Sequence, residues 1–168
     1  MNDEPVLWRS NEVAEILGGQ SPFDWTATGV SIDSRTVRPG DLFIPLKGDN
    51  FDGQDFILDA FNRGAIAAVS EDKGKNLEGL PVLAVNDAYE ALNKLALAAR
   101  KRCHAKIIGV TGSVGKTSIK DAIGKLLTAQ GRTFYSPNSY NNHIGVPLSL
   151  AQIPIETEFA ILELGMNH

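Results

Sequence analysis

The residues best suited to chemistry in this chain lie in the stretch 107–118, IIGVTGSVGKTS, where a β-branched apolar run leads into Gly112, Gly115, Lys116 and Thr117. This stretch reads as a phosphate-binding loop made of Gly112, Ser113, Val114, Gly115, Lys116, Thr117 and Ser118. A buried strand delivers the chain to a turn whose missing side chains let backbone N–H groups close on phosphate oxygens. The helix that follows brings its positive dipole end to the same anion. Lys116 would neutralise the outer phosphates, and the Thr117 hydroxyl would ligate their Mg²⁺. The general pattern has a glycine five positions before Gly115; Val110 stands there, flanked by Gly109 and Gly112. The competing reading is a structural glycine turn with a solvated lysine, and the strand and amphipathic helix on either side favour the phosphate loop.

Three further groups of residues have types that suit such a ligand. Glu163 ends the apolar run FAILEL, which puts its carboxylate at the C-terminal end of a strand, where open α/β sheets bind ligands. It is either a second Mg²⁺ ligand or a solvated strand-end acid. The segment SPNSYNNHIGVP holds Asn138, Asn141, Asn142 and His143 ahead of a helix. Side-chain amides bind phosphate or carbonyl oxygens without adding charge, but asparagine is also an ordinary turn and cap residue, and composition alone favours that role. Near the N-terminus, Asp33-Ser34-Arg35 follows the strand-like TGVSI. Arg35 could fork onto a diphosphate and Ser34 donate to one; a turn with an exposed arginine is the equal alternative.

Composition narrows the classes. A chain of 168 residues, 43% hydrophobic, can form one domain or two small ones with a core. A net charge of -4 and a pI of about 5.3 exclude a global attraction to nucleic acid, so an anionic ligand must be held locally. Cys103 is the only cysteine, which excludes an internal disulfide and a cysteine-based zinc site, and His104, His143 and His168 are too scattered for a metal cage. Asp3 and Glu4 stand where a secretory signal needs positive charge, and no long apolar run follows. A cytoplasmic, soluble protein without membrane insertion is expected.

The elements that must position these residues alternate between strand and helix, the pattern of an α/β fold. Ser10 reads as the N-cap of a helix to Ile16, stopped by Gly18 and Gly19. Strands are predicted over 28–33, 41–46, 65–70 and 81–85, with a helix opened by Asp52 or Gly53 and stopped by Gly64. Asp87 caps a helix from Ala88 to about Arg102 with Leu92, Leu95 and Ala99 on one face. Its basic end is better read as complementing the helix dipole than as a nucleic-acid patch, and the helix bridges two domains. A strand at 106–111, a helix over 116–129 with Ile119, Ile123, Leu126 and Leu127 facing inward, and strands at 132–136 and 158–163 around a helical segment near 144–152 complete the chain.

Taken together, DSRTVRPGDLFIPLKGDNFDGQDF, VTGSVGKTS, NNHIGVPLSL and ELGMNH, in collinear order over nearly the whole chain, resemble the Mur ligase family. NNHIGVP followed by ELGMNH favours the member that adds D-alanyl-D-alanine to UDP-N-acetylmuramoyl-tripeptide; a sister ligase that adds the third amino acid shares the style of the opening half. The resemblance implies a small α/β domain over residues 1–85 that binds the UDP end of the muramoyl peptide through Ser34 and Arg35, with Lys47, Asn50 and Asp52 nearby. Residues 86–168 would then be the first part of a P-loop ATPase domain with a mainly parallel sheet. There the loop 112–118 holds ATP phosphates, Thr117 and Glu163 hold Mg²⁺, Lys116 and Glu163 serve catalysis, and Asn141 and Asn142 lie near the junction of ATP and acyl substrate. Family members often carry histidine where this chain has Gln54, and Asn138-Ser139 replaces an expected Gly-Asn, so neither position takes a role from the resemblance.

The implied reaction is ATP-dependent amide formation through an acyl phosphate, in a full-length enzyme that acts as a monomer. Family members continue beyond the position of His168 with more of the central sheet and a C-terminal domain, so the chain is expected to be a ligase fragment that does not turn over alone. The alternative is a free-standing nucleotide-binding module without catalysis; a reading frame that continues past His168 favours the first, a stop codon there the second. A folate polyglutamylating ligase is disfavoured by the DSR-containing first domain.

Overall fold

The computed structural model describes residues 5–21, 23–71, 77–136 and 140–165. It divides into two compact units, Met1–Leu95 and Ala96–His168. Among the described residues, no helix is long and apolar enough to cross a membrane.

In the first unit, β1 (Trp8–Arg9) leads into α1 (Ser10–Leu17) and pairs antiparallel with β2 (Thr26–Ala27). Next come β3 (Gly29–Ser31), β4 (Asp41–Phe43), α2 (Ile57–Asn62), β5 (Ala67–Ser70) and β6 (Val82–Ala84). β3 to β6 form one parallel sheet in sequence order. β5 is buried along its whole length, as an inner parallel strand covered on both faces must be. Phe43, Ile57, Ala60, Ala65 and Ala68 form a core between α2 and this sheet. α3 (Ala88–Arg102) follows, with Leu92, Leu95 and Ala99 fully buried, and the division between the units falls inside it.

Some of the predicted elements differ in detail. Ser10 is the first helical residue of α1, and Arg9 is the N-cap. The Ser10 hydroxyl is turned to the Asp24 carboxylate at 3.4 Å instead of capping the helix. The helix expected to open at Asp52 begins as a 3₁₀ turn, Gly53–Phe56, before α2. β6 is an edge strand with only Leu83 buried. β1 and β2, two residues each, were too short to leave a periodic signal.

In the second unit, β7 (Lys106–Val110), α4 (Lys116–Thr128), β8 (Thr133–Tyr135), α5 (Gly145–Ala151) and β9 (Phe159–Glu163) build a three-stranded parallel sheet in the order β7-β9-β8. The last strand in sequence is therefore the central one, and Ala160, Ile161, Leu162 and Glu163 are all buried. Cys103, Ala105, Ile153 and Ala160 form its core with Ile107, Phe134 and Leu150 against them.

The predicted inward face of α4 is corrected here. Ile119 and Leu126 are 50% and 73% exposed, Ile123 and Leu127 are half-buried, and the buried positions are Lys120 and Gly124. The reason is steric: a Cβ on Gly124 would come within 2.5 Å of the Tyr135 ring, so the helix turns its narrowest side to β8.

Candidate nucleotide and substrate sites

β7 ends at Val110 in register with Glu163 at the end of β9, so the two chain ends emerge side by side. From Val110 the chain turns through Gly112 (φ 150°) and Gly115 (φ 75°), conformations that side-chain-bearing residues rarely adopt, and Gly115 caps the start of α4. Lys116 folds back on this loop, donating from Nζ to the Gly112 carbonyl at 2.7 Å. Thr117, on the first turn of α4, donates from Oγ1 to Glu163 Oε2 at 2.8 Å. The other oxygen, Oε1, accepts from Asn141 Nδ2 at 2.7 Å. Gly165 N–H donates to the Asn141 carbonyl at 2.6 Å, which ties the chain after β9 to the same asparagine. Glu163 is 2% exposed, so this carboxylate lies in the interior with a hydroxyl and an amide, both uncharged, on its two oxygens.

In the first unit, the residues after β4 and β5 meet beyond the C-terminal ends of those strands, and those after β3 form a turn of their own. Asp33 caps a 3₁₀ turn, Ser34–Thr36, by accepting from Arg35 N. Its carboxylate also takes the Arg35 guanidinium through Nε at 2.9 Å and Nη2 at 2.6 Å. That hydrogen bond holds the Asp33 carboxyl below its ordinary value and raises the Arg35 value in return. Ser34 is buried beside the exposed Arg35. Lys47 starts a tight loop bridged antiparallel to Asp52, with exposed Asn50 at its tip and the Asp52 carboxylate capping Gln54 N–H. Lys47 Nζ donates to Glu71 Oε2, and this bond raises the lysine's value. Glu71 Oε1 in turn accepts from Ala88 N at 2.9 Å, at the start of α3.

Two family profiles match the chain: the Mur ligase family catalytic domain over residues 26–105 and the Mur ligase middle domain over residues 110–168. The chain belongs to the Mur ligase family. Among its relatives, the UDP-N-acetylmuramoyl-tripeptide–D-alanyl-D-alanine ligase of Rickettsia prowazekii (strain Madrid E) is 40% identical, over 97% of this chain and 36% of its own length. The crystal structure of MurF from Acinetobacter baumannii aligns at a TM-score of 0.78 and 29% identity, covering 96% of this chain and 36% of that one. MurF ligase from Thermotoga maritima, solved in complex with ADP, aligns at a TM-score of 0.64 and 34% identity, covering 83% and 32%. This Mur ligase chain spans about a third of the length of the curated relatives it matches.

Within this Mur ligase chain, hydrogen bonds bring Thr117 and Asn141 to Glu163, while the ammonium of Lys116, next to Thr117, lies on the Gly112 carbonyl. Val110, in place of the general pattern's glycine, is a buried strand-end residue whose carbonyl accepts from Leu164 N at 2.8 Å. The close approach falls instead at Gly109, where a Cβ would stand 2.8 Å from Leu164 Cδ1. Asn142 turns to α5: its Oδ1 accepts from Ile144 N at 3.1 Å and Gly145 N at 2.7 Å, the cap role that composition favoured. Asn138 and His168 lie outside the described residues.

Three residues of the Mur ligase clusters took no role from the sequence. Glu71 carries the same signal as Glu163, an acid closing an apolar strand. Gln54 accepts from the Ser70 hydroxyl at 3.0 Å and Glu71 N at 3.2 Å and donates to the Pro45 carbonyl at 3.3 Å, holding the ends of two strands together. Lys120 left no signal, because a lysine at helical spacing is ordinarily solvated.

Proposed function

We propose that this chain forms the substrate- and ATP-binding portion of a peptidoglycan-precursor ligase that joins D-alanyl-D-alanine to UDP-N-acetylmuramoyl-tripeptide in the cytoplasm. The carrying observation is the Thr117–Glu163–Asn141 cluster at the head of the glycine loop, in a chain whose relatives bear that ligase's name. Residues 1–85 take the UDP-linked peptide and residues 86–168 take ATP. Arg35 and Ser34 engage the diphosphate, with Lys47, Asn50 and Asp52 nearby. Ser113, Val114 and Ser118 lend main-chain groups to the phosphate loop, and Lys116 exchanges the Gly112 carbonyl for the outer phosphates.

The donor set fits Mg²⁺. Thr117 and Glu163 offer two hard oxygens side by side, the ligand type that Mg²⁺ takes and that would hold it here. When bound, Mg²⁺ supplies positive charge against the phosphate oxygens. Asn141 holds the Glu163 carboxylate in place.

A carboxylate is a poor acylating agent, and phosphorylation gives it a leaving group. The peptide's terminal carboxylate attacks the γ-phosphorus of ATP and ADP departs, with Lys116 facing the charge on the transferred group. The D-alanyl-D-alanine amine then adds to the acyl carbon of the resulting acyl phosphate. The tetrahedral adduct collapses, phosphate leaves with the C–O electron pair, and the amine's surplus proton passes to solvent. Calorimetric titration of Mg-ADP into wild type and Thr117→Ala tests the nucleotide half of this reading. The variant is expected to bind at least about tenfold more weakly, and equal affinity removes Thr117 and the loop from the site.

A further inference from the structure

Glu71 takes no part in the chemistry above, yet three segments of the first unit meet on it. Its main-chain N–H donates to Gln54 Oε1 at 3.2 Å. One carboxylate oxygen accepts from Ala88 N at 2.9 Å, at the start of α3, and the other accepts from Lys47 Nζ. The backbone that carries Lys47 is fixed without this acid: Gly48 N–H donates to the Phe51 carbonyl at 3.0 Å, Gly53 N–H to the Leu46 carbonyl at 3.1 Å, and Gln54 Nε2 to the Pro45 carbonyl at 3.3 Å. The loop leaves the lysine side chain free to move, since that side chain is 57% exposed and has the rotamer freedom of a long stem. Glu71 supplies the missing constraint. The Ala88 N–H fixes the carboxylate, the carboxylate fixes Nζ, and the ammonium keeps two further N–H donors for a ligand. Net charge works against that use. After the Glu71 hydrogen bond and charge, Asp52 and Asp87 also raise the lysine's value, so three acids act on one base. A ligand oxygen at Lys47 is therefore held by aimed donors.

We propose that Glu71 is a positioning residue for the UDP-linked substrate: fixed by Gln54 and by the first N–H of α3, it aims the Lys47 ammonium before the ligand arrives. This rests on the place of Lys47 in the substrate site given under Proposed function. Charge alone gives the opposite sign, because removing an acid from beside an anion strengthens the anion's binding.

The test titrates UDP calorimetrically into wild type, Glu71→Gln, Glu71→Asp, Lys47→Ala and the double variant Glu71→Gln with Lys47→Ala. Glutamine keeps the volume of glutamate but offers one oxygen where glutamate offers two. Glu71→Gln is expected to weaken UDP binding about fivefold, the scale of ordering one long side chain on binding. In the Lys47→Ala background the same change adds no further loss, because the side chain it positions is gone. Glu71→Asp keeps the charge but is one methylene short of spanning both partners, and it loses as much as Glu71→Gln; it carries the comparison should the glutamine variant fail to fold. Unchanged or tighter binding by Glu71→Gln overturns the proposal in favour of plain charge, and an equal loss with and without Lys47 overturns it in favour of a packing role. If Lys47→Ala weakens binding and neither Glu71 variant does, the proposal falls alone. If wild type binds no UDP, or Lys47→Ala binds it as wild type does, the assignment of Lys47 falls and takes the proposal with it.

Discussion

Glu71 and Glu163 each stand at the C-terminal end of an apolar parallel strand, and each uses both carboxylate oxygens, yet their charges are met in opposite ways. Glu71 pairs with the Lys47 ammonium and with the first N–H of α3, where the helix dipole is positive. Glu163, 2% exposed, receives a hydroxyl from the first turn of α4 and an amide among the described residues. Position at a strand end is thus not enough to mark a metal ligand; on the function proposed above, the partners separate an acid that holds the fold from one that serves a cation. The same contrast runs through the two units. On the same proposal, the first offers cations in exposed pairs to a phosphate, and the second offers an acid to a cation.

Removing the charge of each acid breaks this comparison most directly, beginning with Glu163. Glu163→Gln is expected to weaken Mg-ADP binding by about 100-fold while leaving metal-free ADP binding and folding stability unchanged or slightly improved. Calorimetry in Mg²⁺ and in EDTA, with urea unfolding alongside, reads all three. If the variant binds Mg-ADP as wild type does, Glu163 is merely a second Glu71. The converse change, Glu71→Ala, should cost about 1 kcal/mol in urea unfolding, the scale of a lost helix cap. It should leave ADP affinity untouched. A loss of ADP affinity there, or no loss of stability, would erase the distinction from the other side.

How far this contrast could be read from sequence differs by residue. The phosphate loop was legible because positive φ restricts residue choice: Gly115 at 75° is a backbone demand, visible in any sequence that makes it. α3 was legible for a similar reason, since Asp87 caps it by accepting from Glu90 N at 2.7 Å, and Arg100 satisfies the Cys103 carbonyl at its end. The inward side of α4 was not. Apolar periodicity assumes that bulky side chains face the core, whereas contact with Tyr135 demands the absence of a side chain at Gly124 and leaves Ile119 and Leu126 outside. Glu71 directly follows the predicted strand over 65–70 and belongs to no motif in the sequence. Its partners, Lys47 and the N–H of Ala88, are 24 and 17 residues away. Pairings at that separation follow from strand order, and strand order is not written in local pattern.

The smallest expected effect is the most specific to the exchange of partners in the first unit. The Asp33 carboxyl titrates below its ordinary value, first because of the Arg35 side-chain hydrogen bond and then because of the Arg35 N–H and charge, with burial opposing. A carboxyl depressed in the folded state contributes its stability above the unfolded value and loses it as pH falls through the folded one. The Asp33–Arg35 pair therefore favours the fold from neutral pH down to about 4 and gives way below that, by little, since exposed pairs are weak and screened by salt. NMR titration of the Asp33 carboxyl should show its midpoint moving up in Arg35→Ala. A diphosphate that takes Arg35 away from Asp33 must do the same, so UDP added to wild type should raise the midpoint, and UDP added to Arg35→Ala should leave it where it is. A midpoint indifferent to UDP in wild type would mean that Arg35 keeps its partner, and that the first unit recognises its ligand through other groups on the sheet edge.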